Sequence, residues 1–163
     1  MAKGGSGRGT PATVLLTAQR VPHTLHPYDV SPEAPNYGAL VAQALDVAPE
    51  RLFKTLVTEV DGALTVAVVP VTGELDLKAL ATAAGGKRAG LADRTVAERT
   101  TGYVRGGISP LGQRRRLPTV VDSSALDLDL MYVSAGRRGL QVSLAPADLI
   151  RLTAAVTSPI SAA

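Results

Sequence analysis

Apolar positions recur every three to four residues in several segments of the chain, which predicts amphipathic helices there. Thr10-Pro11 predicts the first helix start, because a capping hydroxyl precedes a proline at the first helical position. This helix is expected to end near Arg20, before Pro22. Asn36 is expected to cap a second helix, whose apolar stripe is Leu40, Val41, Ala44 and Leu45. Further helices are predicted over residues 76–84, 93–99 and 146–156.

Runs of β-forming residues predict strands over residues 51–60 and 63–69. Asp61-Gly62 lies between them and is the strongest hairpin signal in the chain. The second run is apolar almost throughout, so we expect it to be a central strand covered on both faces. Shorter strands are predicted near residues 23–28, 118–121, 129–134 and 140–144, with a turn over 136–139 between the last two.

The mixture of hairpins with isolated helices predicts an α+β fold, with a mixed, mostly antiparallel, barrel-like sheet flanked by helices. Regular strand–helix alternation, which a doubly wound sheet requires, is missing from the pattern. We expect one domain over residues 10–157, a flexible glycine- and serine-rich tail over residues 1–9, and a short C-terminal tail over 158–163.

Composition excludes several classes of protein. Of the 163 residues, 45% are hydrophobic and 19% charged, which is typical of a globular domain and not of a disordered chain. Cysteine is absent, so a disulfide framework, a thiolate zinc site and a cysteine nucleophile are excluded, and a reducing compartment is compatible. Aromatic residues make up 3%, too few for a surface that stacks single-stranded bases. No apolar run is long enough to cross a bilayer, and residues 1–9 do not resemble a secretory signal.

Positive charge is concentrated in the second half of the chain. The formal net charge of +3 divides into −2 for residues 1–81 and +5 for residues 82–163. The basic side chains cluster at Lys87-Arg88, Arg114-Arg115-Arg116 and Arg137-Arg138. Clusters of this kind favour a polyanionic partner, because phosphate contacts release counterions. A solvated rim is the more frequent reason for any single pair, and it is the occurrence of three clusters in one half that makes the two interpretations about equal.

Lys54 is the most informative single residue. Strand alternation places it on the face of Leu52 and Leu56, whereas Phe53 and Val57 lie on the other face. A lysine with apolar neighbours on both faces is costly unless its ammonium reaches water, an anion or a cleft. Two interpretations therefore stay open: a pocket lysine that binds a substrate anion, or a lysine that extends out to solvent.

A second candidate feature is the glycine-rich stretch over residues 102–112. Its adjacent glycines, Gly106 and Gly107, would let the backbone approach a ligand and present N–H groups to negative charge. The stretch is not a P-loop, and Pro110 after Ser109 argues against a nucleophile elbow. A plain tight turn is the competing interpretation.

General bases are scarce in this chain. His23 and His26 are the two histidines, which makes a serine triad or a metal pair improbable, and Asp127 with Asp129 is typical of a solvated edge. An enzyme with this sequence would depend on positioning, backbone donors and groups of the substrate itself.

A series of short motifs follows one order along the chain: Thr10-Pro11-Ala12, the Tyr28 segment, Asn36-Tyr37-Gly38, Phe53-Lys54-Thr55-Leu56, Gly73-Glu74-Leu75-Asp76-Leu77, Thr101-Gly102-Tyr103, Gly106 through Gly112, Arg116-Leu117-Pro118-Thr119 and Gly139-Leu140. Together they resemble the YbaK/EbsC family, most closely its Cys-tRNA(Pro) deacylase branch, over about residues 10–155. Related domains are inserted in prolyl-tRNA synthetases. The resemblance implies a largely antiparallel, barrel-like fold and a cytoplasmic hydrolase or lyase that removes a wrong amino acid from tRNA.

The same resemblance implies roles for individual residues. Lys54 and the backbone of Gly106 would be the catalytic groups, with Lys54 meeting the terminal ribose or phosphate of the tRNA. The substrate-binding residues would be Tyr28, Tyr37, Thr55, Gly107, Ile108, Ser109, Ser134 and Gln141. The five clustered arginines, Arg114, Arg115, Arg116, Arg137 and Arg138, would contact the tRNA.

Two residues depart from the family pattern. Phenylalanine is usual where Tyr37 stands, and an acidic residue is common where this chain has Gln141, which cannot act as a base. In the cysteine branch, the thiol of the substrate is thought to take part in the reaction, so the enzyme needs no nucleophile of its own.

The expected partners are aminoacyl-tRNA and, as a candidate, prolyl-tRNA synthetase, with no metal, cofactor, membrane or DNA. The leading hypothesis is a free-standing trans-editing deacylase acting on Cys-tRNA(Pro). The alternatives are a deacylase of different specificity, such as for Ala-tRNA(Pro), a non-catalytic tRNA- or synthetase-binding module, and a hydrolase of a small nucleotide-linked ester.

Overall fold

The computed structural model describes residues 9–162, in which helices and strands alternate irregularly. The α-helices of this part are α1 Pro11–Ala18, α2 Tyr37–Leu45, α3 Leu77–Ala83, α4 Arg94–Thr101 and α5 Pro146–Thr153. The strands are β1 Thr24–Pro27, β2 Phe53–Val60, β3 Ala63–Pro70, β4 Glu74–Leu75, β5 Ala89–Leu91, β6 Thr119–Asp122, β7 Met131–Arg137, β8 Leu140–Leu144, β9 Val156–Ser158 and β10 Ser161–Ala162. Short 3₁₀ turns occupy Pro49–Arg51 and Ser123–Asp127. None of these helices combines the length and apolar character needed to cross a bilayer.

The strands form two main sheets. A five-stranded sheet has the order β5-β2-β3-β6-β9, antiparallel from β5 to β3 and parallel from β3 to β9. An antiparallel three-stranded sheet has the order β1-β8-β7. The short strands β4 and β10 pair with each other. The α+β class with a mixed sheet is therefore confirmed, but the sheets do not close into a barrel.

Three apolar clusters hold these layers together. The largest lies between the two main sheets and α1, and it contains Phe53, Val68, Val133 and Val142. A second cluster packs α3 on the opposite face of the five-stranded sheet, around Val69 and Leu80. A third packs α2 around Leu52. The middle strand β3 contributes fully buried residues to the first two, which confirms the expected strand covered on both faces.

Local signals explain most of the element boundaries. Thr10 caps α1 through a reciprocal capping box with Thr13, and its hydroxyl also donates to the carbonyl of Ala135 in β7. Asp76 and Asp93 cap α3 and α4 with their side chains. Asp61 and Gly62 both have positive φ, as the tight hairpin between β2 and β3 requires.

Two expectations differ from the structure. Asn36 precedes α2 in a left-handed conformation, with φ of 58°, and its side chain makes no cap hydrogen bond. The helix buries Val41 and Ala42, while Leu40 and Ala44 face solvent, because α2 covers only the small third cluster.

Residues 158–162 also differ, since they do not behave as the expected tail. Ile160 is fully buried, and β10 pairs with β4. The carboxylate of Asp122, itself buried, accepts the N–H groups of Ile160 and Ser161 and thereby fixes this segment. The sequence offered no strand signal for so short a pairing.

Candidate functional site

The two main sheets meet at one point, where Leu52 and Tyr132 form a parallel backbone bridge. Beyond this bridge β2 pairs with β3 on one side, and on its other side the pairing with β5 begins only at Thr58. Among residues 9–162, β2 therefore has no strand partner on that side between Phe53 and Val57. We call this opening between β2 and β7 the strand gap.

Polar side chains from four strands line up across the strand gap. Gln141 of β8 pairs with His26 of β1 and with Ser134 of β7, so these three side chains lie side by side on one face, about 4.8 Å apart from strand to strand. Lys54 and Ser134 both lie two residues beyond the parallel bridge, which places Lys54 level with Ser134 on the same face. We call His26, Gln141, Ser134 and Lys54 the polar row.

The opposite face of the three-stranded sheet is apolar. Met131, Val133, Val142 and Leu144 are fully buried there in the largest cluster. Because side chains alternate along β7 and β8, one face of these strands packs in the core, and the polar side chains lie on the other face.

Gln141 carries an unusual feature for a buried side chain. It is 7% exposed, and its Oε1 atom is buried without a hydrogen-bond partner among the described residues. A buried amide oxygen without a partner costs roughly 1–3 kcal/mol, and native proteins keep such groups mainly where a ligand or water completes them. The position is uncharged, as the sequence indicated, and it can accept a hydrogen bond but cannot serve as a base at neutral pH.

Lys54 is partly accessible and not enclosed. Its side chain is 33% exposed and its Nζ lies 3.9 Å from Oε2 of Glu74, which is itself 86% exposed. Its neighbours along β2 belong to two different clusters, Leu52 packing with α2 and Leu56 with α3. The ammonium thus lies between two helices, where it reaches both solvent and a carboxylate. The cost of burying this charge is therefore lower than the apolar neighbours of Lys54 in the sequence indicated.

A pair of tyrosines borders the polar row. The hydroxyl groups of Tyr28 and Tyr37 lie 2.7 Å apart and the rings pack edge to face, within the cluster that also contains Tyr132. Burial and the bond to Tyr28 raise the pKa of Tyr37 well above its usual value, against the opposing effect of the Arg138 guanidinium. The Tyr37 phenol is therefore neutral at physiological pH, and one O–H of the pair can donate to a ligand.

The glycine-rich loop lies against the tip of the β7–β8 hairpin. A side chain at Gly106, whose φ is +88°, would collide with Arg138, and one at Gly107 would collide with the backbone of Arg137. Tyr28 joins the same tip, because its N–H donates to the carbonyl of Gly139. Lys54 and Gly106 are therefore linked through this hairpin, and that both open into one cavity stays a prediction.

Buried side chains hold the rest of this loop in place. Tyr103 is 3% exposed, burial raises its pKa to about 12, and its neutral hydroxyl donates to the carbonyl of Leu111. Ser109 is fully buried and its hydroxyl accepts the N–H of Leu111. Ile108 packs against the largest cluster. The substrate contacts expected for Ile108 and Ser109 stay predictions, because the structure shows only these structural contacts.

Thr55 lies on the other face of β2 from Lys54. It pairs with Val68, which is fully buried, and its Oγ1 is buried without a partner among the described residues. Strand alternation therefore separates its hydroxyl from the polar row, although its backbone borders the strand gap. Its expected contact with substrate also stays a prediction.

The five clustered arginines surround the glycine-rich loop and are all exposed. The side chain of Arg114 lies next to Gly102 at one end of the loop, and that of Arg138 next to Gly106. Lys87 and Arg88 lie elsewhere, since their N–H groups bind the carboxylate of Asp61 at the β2–β3 turn. Asp61 lies seven positions after Lys54 along the extended β2 hairpin, a distance of about 23 Å.

This arrangement suits the binding of an anionic ligand with a polar end. The described residues contain no cluster of three or more histidine or carboxylate side chains able to hold a metal ion. The strand gap instead offers an ammonium, a serine hydroxyl, an amide oxygen and two phenols beside a loop surrounded by arginines. Comparison with known proteins indicates which class of anionic ligand this site binds.

The sequence model of the aminoacyl-tRNA editing domain matches residues 32–152, which is most of the chain. This protein belongs to the aminoacyl-tRNA editing family. The editing domain is thus an enzyme of the aminoacyl-tRNA deacylase class, with aminoacyl-tRNA as its partner, and the resemblance noted from the sequence motifs is confirmed.

Individual relatives extend this comparison. A candidate Cys-tRNA(Pro)/Cys-tRNA(Cys) deacylase from Enterococcus faecalis, EbsC, is 38% identical over 94% of this chain and 93% of its own length. A crystal structure of a candidate trans-editing enzyme for prolyl tRNA synthetase superposes with a TM-score of 0.80 at 20% identity, over 96% of this chain and 99% of that one. A hypothetical protein gives 0.82 at 24% identity, over 93% and 99%. At these identities the two structures support the fold alone.

Sequence reasoning missed two members of the site. His26 belongs to the polar row, its Nε2 lies 2.8 Å from the Ser143 hydroxyl, and its ring packs on Tyr132 at 4.9 Å. The available signal was its position two residues before Tyr28, which extended backbone places on the same face. Glu98 contacts the glycine-rich loop from α4, where its carboxylate accepts the N–H of Arg105 at 2.8 Å, and no local pattern marks that long-range contact.

His26 makes the stability of the editing domain depend on pH. Burial lowers the pKa of His26 below the usual 6.5. As the pH falls through that value, His26 therefore becomes protonated in the unfolded chain before it does so in the folded protein. The free energy of unfolding should therefore decrease below about pH 6.5, and the substitution His26→Gln should reduce that decrease.

Urea unfolding between about pH 8 and about pH 5 measures the effect. His23→Gln, which removes the other histidine, should retain the decrease seen in the parent. An equal pH dependence in His26→Gln and in the parent would contradict the assignment.

Proposed function

We propose that this editing domain acts in trans on Cys-tRNA(Pro), releasing the mischarged cysteine from the tRNA. The observation that carries the proposal is the polar row beside the arginine-surrounded loop, in a chain 38% identical to a relative named a candidate Cys-tRNA(Pro)/Cys-tRNA(Cys) deacylase. In this arrangement the aminoacyl end of the tRNA occupies the strand gap, and the acceptor stem lies along the arginines.

The chemistry follows from which groups are available. The polar row holds no carboxylate, and its one histidine is engaged with Ser143. Cysteine is absent from the chain, so an enzyme thiol cannot attack the ester. The thiol of the substrate cysteine gives up its proton and its sulfur bonds to the carbonyl carbon of the same residue, while the ester C–O bond breaks. The ribose oxygen leaves with that proton, and the cysteine is released as a cyclic thioester that water then hydrolyses. The protein then needs only to orient the ester and stabilise negative charge.

Lys54 is the cation best placed for this task. Its ammonium, level with Ser134, meets the terminal ribose or phosphate and favours the leaving oxygen electrostatically. The backbone N–H of Gly106 faces the developing negative charge on the carbonyl oxygen. The free Oε1 of Gln141 accepts a hydrogen bond from the aminoacyl group, whose α-ammonium is a suitable donor. This assignment also gives the buried amide oxygen a partner, which residues 9–162 do not provide.

A panel of misacylated tRNAs tests the function directly. The purified protein is incubated with Cys-tRNA(Pro), Ala-tRNA(Pro) and Ser-tRNA, and release of each amino acid is followed. Release of cysteine alone supports the proposal, and release of alanine alone would assign a different specificity. Binding without release from any of them would favour a non-catalytic tRNA-binding module and contradict the proposal. Assays with and without prolyl-tRNA synthetase show whether that enzyme is a functional partner.

The substitution Lys54→Ala should lower the rate of deacylation by about 10²-fold or more, because it removes the cation at the reacting end. It should change the free energy of unfolding by less than about 0.5 kcal/mol, since the side chain is partly exposed and its ion pair with Glu74 is weak. Single-turnover kinetics and urea unfolding measure the two effects. Lys78→Ala, at an exposed lysine of α3, is the matched control and should keep the parental rate. Unchanged turnover in Lys54→Ala would remove Lys54 from the mechanism.

Neutralising Arg114, Arg115 and Arg116 together should weaken tRNA binding and flatten its dependence on salt. Each lost phosphate contact reduces the slope of log K against log salt by about 0.7–0.9. The double variant of Lys87 and Arg88 to alanine is the control, because these residues lie at the far end of β2. A slope equal to that of the parent in the triple variant would show that these arginines form a solvated rim.

A further inference from the structure

The glycine-rich loop contains a tight turn over residues 104–107. The N–H of Gly107 donates to the carbonyl of Val104 at 2.9 Å, which closes a β-turn. Gly106 has φ of +88°, whereas Arg105 is not among the residues with positive φ. These values identify a type II turn, with Arg105 and Gly106 as its two central residues.

Type II is not the only turn that this sequence permits. Glycine adopts positive and negative φ about equally readily, so Gly106 also suits a type I turn. The two types differ by a flip of the central peptide, between Arg105 and Gly106. Because a trans peptide is planar, with its C=O and N–H pointing in opposite directions, that flip would reverse the direction of the Gly106 N–H.

Two charged side chains from different elements hold this turn. The Nε of Arg138, at the tip of the β7–β8 hairpin, donates to the carbonyl of Arg105 at 2.9 Å. The carboxylate of Glu98, on α4, accepts the N–H of Arg105 at 2.8 Å and also binds Arg94 at 3.3 Å. The Arg105 N–H holds the pKa of Glu98 below its usual value, so the carboxylate is ionised at neutral pH.

We propose that Arg138 selects the type II turn and thereby fixes the direction in which the Gly106 N–H points. Glu98 anchors the preceding peptide, between Val104 and Arg105, whose orientation is the same in both turn types. Arg138 reaches the carbonyl of Arg105 only when the central peptide has its observed orientation. The same side chain lies against Gly106, where any Cβ would come within 2.9 Å of the Arg138 Nε. Arg138 is therefore a positioning residue, and its importance for turnover rests on the proposed function, in which Gly106 is the backbone donor.

This proposal gives Arg138 a task different from that of Arg137. Both arginines are exposed and adjacent, and the sequence groups them as one tRNA-binding pair. Of the two, Arg138 contacts the loop backbone with its side chain, whereas Arg137 contacts Gly107 through its own backbone. Loss of Arg138 should consequently act on the rate of the chemical step, beyond any effect on tRNA affinity.

NMR spectroscopy of the ¹⁵N-labelled full chain tests the turn without depending on activity. A type II turn places the Hα of Arg105 close to the N–H of Gly106 and gives a strong NOE between them, whereas a type I turn separates these protons. The variants are Arg138→Ala, Arg138→Lys, Glu98→Ala and Glu98→Gln, with Arg99→Ala as the control, since Arg99 is an exposed arginine of the same helix as Glu98. Thermal unfolding of each variant shows whether it still folds.

The NOE should weaken in Arg138→Ala and Arg138→Lys. It should persist in Arg99→Ala and in both Glu98 variants, because Glu98 binds a peptide whose orientation is the same in the two turn types. The single-turnover rate on Cys-tRNA(Pro) should fall about tenfold or more in the two Arg138 variants, by a larger factor than their loss of tRNA affinity measured as Kd.

Two results would overturn the proposal: an unchanged NOE in Arg138→Ala, or a weakened NOE with an unchanged rate. If the parent released no amino acid from any tRNA, the proposed function would fail by itself. The NOE would still decide whether Arg138 selects the turn type.

Discussion

The backbone bridge between Leu52 and Tyr132 is the contact on which the rest of the site depends. It joins the five-stranded sheet to the three-stranded sheet at one point and sets the relative register of β2 and β7. Because both strands run in the same direction from the bridge, Lys54 and Ser134 arrive level and on one face. A shift of one residue in this register would turn Lys54 towards the core and leave the polar row without its cation.

The packing of the three clusters keeps the strand gap open. The largest cluster occupies the space between the sheets and buries the apolar face of β7 and β8. The other two lie under α2 and α3, on either side of Lys54 along β2. Polar groups therefore lie where these clusters meet. The buried oxygen of Gln141, which has no hydrogen-bond partner within residues 9–162, lies in the same place. Alternation along β7 and β8 therefore directs the apolar side chains, which stabilise the fold, to one face, and the polar side chains of the candidate site to the other face.

Most of the architecture could be predicted from the sequence because its signals are local. The Thr10-Pro11 start, the Asp61-Gly62 turn and the apolar run of β3 each specify their element through neighbouring residues. What could not be predicted depends on distant partners. The pairing of β4 with β10, and the burial of Ile160, rest on the Asp122 carboxylate nearly forty residues away. Asn36 precedes α2 as predicted, but its side chain does not cap the helix, so the start was predicted correctly and the capping interaction was not.

The candidate site shows the same division. Lys54, Ser134 and Gln141 could be singled out by alternation and family motifs, and the structure brings them onto one face. Thr55 comes from the same motif as Lys54 but faces the core, since adjacent residues of a strand point in opposite directions. Glu98 and Arg138 contact two adjacent peptides of one turn from two different elements, and only the folded chain reveals that they meet there.

The central claim is that the Lys54 ammonium and the Gly106 N–H open into one cavity that receives the aminoacyl end of a tRNA. A crystal structure with a non-hydrolysable cysteinyl-adenosine amide tests this most directly. The account predicts the amide linkage in the strand gap, with Lys54 towards the ribose and the Gly106 N–H towards the carbonyl oxygen. An analogue bound elsewhere, or bound in the gap while contacting only one of the two groups, would contradict it.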